Sequence, residues 1–164
     1  MTLLRYAAFL GLAIWIGGLA VLAGIGAPTV FEALIARDPV AGRELAGLLF
    51  VTMLERFQYV AWGSAAVLFL SLGLRAAIGP RPRHTALRIW AVVLMLAISL
   101  VTVFVIIPAI DEIRGAIEGA VAALPAADPR RMAFGRWHGL SSGLMLLTIG
   151  LGLGLGWAEV HDPH

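Results

Sequence analysis

Four long apolar runs constrain the fold of this chain more than any other feature of its sequence. They cover Leu3–Gly26, Tyr59–Ile78, Leu87–Ile107 and Gly139–Trp157. Each run reaches the length of about 18 residues that is typical of a membrane-spanning helix. Because the lipid core offers the backbone no water, each run must satisfy its own peptide groups, and a helix does so. The sequence therefore predicts an all-α, integral membrane four-helix bundle that forms a single domain over residues 1–164.

Composition agrees with a membrane protein and excludes several other classes. Of the 164 residues, 60% are hydrophobic and 13% are charged, whereas soluble domains carry roughly a quarter charged residues. All 12 basic residues are arginine, and no basic run is interleaved with aromatics, so nucleic acid is not an expected partner. The chain has no cysteine, which excludes disulfides, thiolate metal sites, iron–sulfur clusters and thiol catalysis.

The arginines predict the orientation of the bundle. The short connection after the second run holds Arg81 and Arg83, and Arg75 and Arg88 flank it. Basic residues near the ends of membrane helices favour the cytoplasmic side. We therefore predict that this connection and both termini are cytoplasmic, and that the two longer connections lie on the other side.

Both longer connections carry helix signals. Asp38 and Asp128 each precede a proline, which is typical of an N-cap followed by the first helical residue. A helix that begins at Pro39 can run without a break into the second span. Apolar residues recur at spacings of three and four over residues 110–124, which predicts an amphipathic outer segment. It is either a helix that lies at the membrane surface or caps the bundle, or a solvated extension of the third helix. Pro108 removes a backbone donor, so a kink or break is expected before it.

The start of the fourth run carries the most distinctive polar residues. Because His138, Ser141 and Ser142 are three and four residues apart, they share one face of a helix. Polar groups avoid lipid, so we expect His138 to face the bundle interior near the outer surface. Its expected partner is Glu55 or Tyr59 at the outer start of the second helix, or backbone freed near Pro108. The candidate ligand or metal residues are His138, Ser141, Ser142, Arg136, Glu55 and Tyr59.

These residues do not identify a bound group. A metal site that joins His138 to Glu55, Asp111 or Glu112 stays open, although no Glu-x-x-His spacing supports it. The metal is therefore left unknown, no cofactor is predicted, and neither is an enzymatic activity.

Glycines form a second pattern, as a stripe on the fourth run and a pair in the first. Small residues let membrane helices approach closely. We therefore predict helix-packing roles for Gly139, Gly143, Gly150, Gly154, Gly17 and Gly18.

The stretch F-G-R-W-H-G-L-S-S, residues 134–142, resembles the F-x-R-Y/W-H-G-L-S-S stretch of the transmembrane protein 205-like family. Its bacterial members carry a domain of unknown function of the DUF4149 type. The W-I-G-G stretch at Trp15–Gly18, Ala27-Pro28-Thr29 and Pro108 agree with this resemblance.

The resemblance implies a four-helix protein of the bacterial inner membrane. A eukaryotic member is associated with resistance to platinum drugs, which suggests export or trafficking of metal complexes. The matching positions that carry over as functional candidates are Arg136, His138, Ser141 and Ser142. This chain has Met145 where the family's asparagine is expected. Without cysteine, methionine supplies its only sulfur ligands for a soft metal.

Three classes of function stay open. The first is a small transporter or transport accessory for a metal complex or small molecule, although no pair of broken half-helices marks a midplane site. The second is a structural or interaction subunit of a membrane complex, which the glycine stripe permits. The third is a haem- or metal-binding redox protein, which the sequence favours least because only His138 touches a span. The expected partners are the lipid bilayer and either further copies or a larger membrane complex.

Overall fold

The computed structural model describes residues 2–78 and 84–161, which form four long helical spans. All four spans are long and apolar enough to cross a membrane. The described residues contain no strand. The prediction of an all-α bundle with four membrane-length helices is therefore confirmed. The spans are Thr2–Ile35, Ala41–Ile78, Thr85–Gly115 and Pro129–Val160.

Two of the spans are composite. The first contains α1 (Thr2–Val21), a π-helical segment (Leu22–Gly26) and α2 (Ala27–Ile35). The second is α3 (Ala41–Ile78) alone. The third contains α4 (Thr85–Val101), a second π-helical segment (Thr102–Ile106) and α5 (Ile107–Gly115). A short 3₁₀ helix (Val121–Ala123) then leads to the fourth span, α6 (Pro129–Val160).

The spans pack as a ring in which each contacts the spans before and after it. Helix α1 packs against α3 and α6, and α4 packs against the same two helices. Trp15, Met95, Val92 and Ile106 are the largest fully buried side chains, and they fill the centre. We call the end that carries Thr2 and His161 the terminal end, and the other end the opposite end.

The predicted N-cap at Asp128 is confirmed, whereas α3 begins at Ala41 and not at Pro39, so that Asp38 caps the turn that leads into it. Asp38 Oδ1 accepts hydrogen bonds from the backbone N–H groups of Val40 and Ala41, at 2.9 Å each. Asp128 Oδ1 accepts from the backbone N–H of Arg130 at 2.8 Å. Each carboxylate satisfies donors that have no partner within the first helical turn. As expected, α3 runs without a break from the outer connection into the second span.

The π segments explain how two prolines sit inside continuous spans. In the first, the N–H of Ala27 bonds to the carbonyl of Leu22, and in the second Ile107 bonds to Thr102. These bonds reach five residues back instead of four. A proline follows each segment at the second position, and its ring would clash with a carbonyl in an ordinary α-turn. The wider π turn relieves that clash, so the irregularity expected before Pro108 is a π segment and not a break.

The amphipathic segment is only partly helical. Helix α5 ends at Gly115, and residues 116–120 form a turn. Gly119 has a φ of +104°, a conformation that glycine adopts without strain. Ile110 and Val121 are buried, so the apolar stripe does face the bundle. A single surface helix over residues 110–124 is therefore wrong, and the extension of the third helix fits residues 107–115.

The orientation of the bundle stays a prediction. Arg81 and Arg83, on which it largely depends, lie outside the described residues. His164, in the tail after the fourth run, also lies outside the described residues.

Candidate functional site

Four charged side chains, one from each span, meet at the terminal end. We call them the arginine–glutamate network: Arg5 of α1, Arg75 of α3, Arg88 of α4 and Glu159 of α6. Arg75 Nη1 donates to both carboxylate oxygens of Glu159, at 3.0 and 2.8 Å. Arg88 Nη1 donates to Glu159 Oε1 at 2.8 Å. One carboxylate therefore pairs with guanidinium groups from two other spans.

Backbone carbonyls extend the network. Arg88 Nη2 donates to the carbonyl oxygen of Ala158 at 2.9 Å, and Arg5 Nη2 donates to that of Glu159 at 2.8 Å. The side chains of Arg75 and Arg88 are only 6% exposed, and that of Glu159 is 9% exposed. Burying a charge is costly unless it is paired and hydrogen-bonded. The network meets that condition, and it holds all four spans together at this end.

A small polar pocket lies deeper in the bundle, between the terminal and opposite ends. Its volume is about 30 Å³, enough for roughly two water molecules at about 10–15 Å³ each. All four spans contribute to its wall. Its polar side chains are Gln58, Ser99, Thr102, Ser141 and Thr148, and its apolar ones include Trp15, Leu54 and Met145.

A chain of hydrogen bonds fixes one wall of the pocket. The hydroxyl of Ser99 donates to Gln58 Oε1 and accepts a hydrogen bond from Trp62 Nε1 at 2.8 Å. Gln58 and Ser99 are both buried. The Trp62 ring also stacks on Phe104, with 6.3 Å between ring centroids. Two spans thus hold these polar groups in one arrangement.

The π segments lie beside the pocket. Thr102, the first residue of the second segment, lines it, and so does Leu19, three residues before the first segment. The segments begin at residues 22 and 102 and so lie 80 residues apart, in corresponding positions of the first and third spans. The sequence pattern does not indicate a pair of broken half-helices. The structure keeps both helices continuous but interrupts their α-turns at this matched pair of positions.

The candidate residues of the stretch Phe134–Ser142, at the start of α6, lie in two different environments. Ser141 lines the pocket. The hydroxyl of Ser142 donates to the carbonyl of His138 at 3.0 Å, within its own helix. His138 is exposed, and its ring stacks on Phe134 with 6.1 Å between centroids. Arg136 is exposed as well.

The expected inward orientation of His138 is wrong. Residues 138–140 are all exposed, because the outer turns of α6 have few neighbours. Tyr59 is 68% exposed, with its ring 5.3 Å from that of Trp62 and edge-on to it. Glu55 is half-buried on the same helix. Among the described contacts, neither residue is joined to His138.

The glycines also differ from one another in their surroundings. A Cβ added at Gly18 would collide with the ring of Phe57, so this glycine permits close packing of α1 on α3. The other predicted packing glycines have no atom within 4 Å of such a Cβ; they are Gly17, Gly139, Gly143, Gly150 and Gly154. Gly152, which the sequence analysis did not single out, lies directly against Ile16. The stripe on α6 therefore faces away from the described bundle.

Titratable residues do not gather into a metal centre in the described ranges. Within residues 2–78 and 84–161, no group of three or more His, Cys, Asp or Glu side chains is placed to hold a metal ion. The metal site that the sequence left open, between His138 and Glu55, Asp111 or Glu112, is therefore not found among the described residues.

The arginine–glutamate network was not predicted from the sequence. Arg75 and Arg88 served only to predict the orientation of the bundle, and Glu159 was not among the candidate residues. The available signal was an acid in the last turn of an apolar helix, at the same level as arginines on the other spans. An ionisable residue inside a membrane helix is by default a candidate for function.

Comparison with known protein families identifies a matching family, but the function of that family is not known. A family model described as a domain of unknown function, DUF4149, matches residues 10–118. The match ends before Phe134–Ser142, so it does not bear on the resemblance carried by that stretch. No curated protein and no solved structure matches the chain.

Proposed function

The chain belongs to the DUF4149 family, and we propose that it is a small transport protein, or the membrane subunit of one, that carries a small polar molecule. The observation behind this proposal is the pocket between the two ends, to which all four spans contribute and which Gln58, Ser99, Thr102, Ser141 and Thr148 line with polar groups. Hydroxyl and amide side chains join membrane helices by hydrogen bonds, and where several of them converge on a cavity they offer a binding site for a polar solute. We place the protein in the bacterial inner membrane with both termini in the cytoplasm.

The side chains of the pocket indicate the class of cargo. They supply hydroxyl groups, one amide and the thioether of Met145, and none of them is charged. A charged solute would enter without a counter-charge, which is costly in a low dielectric. The expected cargo is therefore a small neutral molecule with hydrogen-bonding groups. A soft metal complex finds one sulfur ligand there, Met145, which makes it the weaker candidate.

The network and the π segments supply the parts that transport needs. The arginine–glutamate network closes the terminal end, and it must separate if cargo is to pass on that side. Helices bend readily at π segments, and the two segments lie beside the pocket in the first and third spans. Prolines that interrupt membrane helices in corresponding positions are an indicator of a transport site, and the π segments accommodate such a pair, Pro28 and Pro108. The resemblance of Phe134–Ser142 to the transmembrane protein 205-like family suggests export as the direction.

The second candidate is a structural or interaction subunit, and the exposed face of α6 favours it. In the most apolar stretch of α6, 17% of the residues are buried within the chain, against 33–39% in the corresponding stretches of the other three spans. Its open glycine stripe would let a helix of another protein approach. In that case the pocket would be a static packing defect.

Cysteine labelling separates the two candidates, because the natural chain has no cysteine. Thr148→Cys places a thiol in the pocket wall, and Ala65→Cys places one in the apolar core as a matched buried control. A membrane-impermeant thiol reagent is added to right-side-out and to inverted vesicles. Transport predicts that position 148 is labelled from both sides and position 65 from neither. Labelling of position 148 from one side only, or from neither, would refute the transport function and leave the interaction subunit.

The network provides a second test of the same function. Glu159→Gln removes the carboxylate charge but keeps nearly the same side-chain shape. If the network closes the terminal end, labelling at position 148 from that side should become faster in this background. An unchanged labelling rate would show that the network does not control access.

A further inference from the structure

The hydrogen bonds on one wall of the polar pocket run in a single direction, which Trp62 sets. An indole N–H can only donate, so Trp62 gives its hydrogen to Ser99 Oγ at 2.8 Å. The single hydrogen of the Ser99 hydroxyl is then given to Gln58, which accepts it through Oε1. Because the oxygen of the Gln58 amide is engaged in this way, its nitrogen, with two N–H groups, is left for another partner.

Gln58 therefore offers two donors to the occupant of the pocket. The residue lines the pocket and is only 5% exposed. Within residues 2–78 and 84–161, no protein group accepts a hydrogen bond from its Nε2. A buried donor without an acceptor is costly. The pocket thus favours an occupant that accepts hydrogen bonds on the side of the second span.

Two threonines on the third and fourth spans supply acceptors only. Thr102 Oγ1 donates to the carbonyl of Ile98 at 2.9 Å, and Thr148 Oγ1 donates to that of Leu144 at 3.0 Å. A hydroxyl has one hydrogen, so each of these oxygens can only accept from the occupant. Both threonines are buried, and both line the pocket. The pocket thus favours an occupant that donates two hydrogen bonds on this side.

We propose that the pocket binds a small neutral primary amide or urea, an inference that rests on the proposed function in that such a solute must be able to reach the pocket. The carbonyl oxygen of an amide accepts from the two N–H groups of Gln58, and its NH₂ group donates to the two threonine hydroxyls. An alcohol has only one hydrogen to donate, and a ketone has none. The volume of about 30 Å³ admits only the smallest members of the class, of which formamide is the first.

Protection of a thiol in the pocket tests this proposal. Met145→Cys places the thiol in the pocket wall and leaves the donors and acceptors described above in place. The purified full-length chain in detergent is treated with methyl methanethiosulfonate, an uncharged thiol reagent, in the presence of formamide or of ethanol, which is of similar size. Formamide should protect the thiol at a concentration at least tenfold lower, because ethanol leaves polar groups of the site unpaired.

A control and three outcomes make this test decisive. Glu118→Cys, at an exposed position outside the pocket, should react at the same rate with and without either solute. Equal protection by the two solutes, or no protection by formamide, would overturn the proposal and leave a pocket that holds only water. A thiol at position 145 that does not react at all would show that solutes do not enter, and would overturn it as well.

A matched pair of variants locates the acceptors. Thr148→Val removes one acceptor from the pocket and keeps the shape of the side chain, so the preference for formamide over ethanol should fall about tenfold. Thr52→Val is the control, because Thr52 Oγ1 makes the same kind of bond, to the carbonyl of Leu48 at 2.9 Å, but the residue is exposed and outside the pocket. The same change in both variants, or a change in neither, would overturn the assignment.

Trp62→Phe tests the direction of the hydrogen bonds, with Trp62 as a positioning residue outside the pocket wall. Without the indole N–H, the Ser99 hydroxyl and the Gln58 amide are free to turn. The preference for formamide should therefore fall while protection by ethanol stays the same. A pocket that had merely loosened would bind both solutes more weakly and keep the preference, and that result would overturn the role of Trp62.

The results also separate the class of solute from transport. A preference for formamide, together with labelling of a cysteine at position 148 from one side only, would keep the binding site and refute transport. Labelling of position 148 from both sides, with no preference for formamide at position 145, would keep transport and overturn the amide as its cargo.

Discussion

The two ends of the bundle are held together in different ways. At the terminal end, the buried side chains of Arg75 and Arg88 pair with the carboxylate of Glu159, and the half-buried Arg5 donates to its backbone carbonyl. At the opposite end, Asp38 and Asp128 cap helices, and Arg114 forms a partly exposed ion pair with Glu44, with 3.2 Å between Nε and Oε1. The outer turns of α6 there have few neighbours, and His138 is exposed on them.

The difference shows that a distinctive sequence is a poor guide to burial. The most recognisable stretch of the chain, Phe134–Ser142, begins at the opposite end, and only its Ser141 reaches the pocket. Glu159 stands in an unremarkable stretch of the sequence, yet it is buried because Arg75 and Arg88 lie at the same depth on neighbouring helices. Burial of a charged group depends on partners from distant parts of the chain.

The largest expected effect is that of Glu159→Ala. The change leaves two buried guanidinium groups without their carboxylate, and breaking a buried pair in this way typically costs about 3–5 kcal/mol. We expect a loss of that size in the free energy of unfolding, measured by tryptophan fluorescence in mixed detergent micelles. Glu118→Ala, at an exposed acid of the opposite end, is the control and should change little. If the two variants lose the same amount, the ends do not differ as described.

The next effect concerns the pocket between the ends. Ser99→Ala removes the hydroxyl that joins Trp62 to Gln58, and it leaves a half-buried donor, Trp62 Nε1, and a buried acceptor, Gln58 Oε1, without this partner. Such a change costs about 1–3 kcal/mol. Ser142→Ala serves as the control, since the hydroxyl of Ser142 bonds only within its own helix. A Ser99→Ala protein as stable as the control would show that these hydrogen bonds do not hold the pocket wall.

A smaller effect is expected at the opposite end. Arg114 pairs with Glu44 there, with the two side chains 16% and 37% exposed, and its guanidinium lies 5.5 Å from the centre of the Phe134 ring. Ion pairs that water reaches contribute at most about 1 kcal/mol. Arg114→Ala should therefore lower the free energy of unfolding by no more than that, relative to Arg37→Ala at an exposed arginine. A loss as large as that of Glu159→Ala would mean that both ends depend on buried charge.

The smallest effect is a pH dependence at the N-terminus of α6. The side chain of Arg130 donates to Asp128 and, with the Arg130 backbone N–H, holds the pKa of that carboxyl below its ordinary value of 3.8. Because the folded pKa is lowered, the stabilisation is complete above about pH 3.8 and is lost as the pH falls through the folded value.

A variant that caps without titrating isolates this contribution. Asp128→Asn keeps an N-cap acceptor but has no carboxyl group. Between pH 5 and pH 3, the melting temperature of the natural protein should fall by slightly more than that of the variant. Parallel curves would show that Asp128 does not contribute to the pH dependence.

Most of the fold could be predicted from the sequence, because membrane spans follow from local composition. Apolar length identified the four helices, and the Asp-Pro pairs identified the start of α6 and placed that of α3 two residues too early, at Pro39 instead of Ala41. The outer segment was harder. Its apolar spacing continues to Leu124, but Gly115 and Gly119 end the helix earlier, and spacing alone does not show which glycine turns the chain.

Most of the candidate site could not be predicted from the sequence, because it depends on which face each of the four helices turns toward the interior. Ser141 was identified, since a serine in an apolar run has to find a partner. Gln58 and Ser99 were not, because nothing in their local sequence shows that they face each other across two spans. The predicted orientation of His138 was wrong for a related reason. The sequence shows which face of α6 carries His138, but it does not show that this turn of α6 has few neighbouring helices.

The second π segment gives the third span one residue more than an uninterrupted α-helix would hold. The N–H of Ile107 bonds five residues back to the carbonyl of Thr102, and Thr102, Ile106 and Ile107 are all buried. Because the π turn holds one extra residue, deleting one residue between Thr102 and Ile106 would restore an ordinary α-turn and leave α5 facing the same way. The ring of Pro108 would then clash with a carbonyl of the preceding turn.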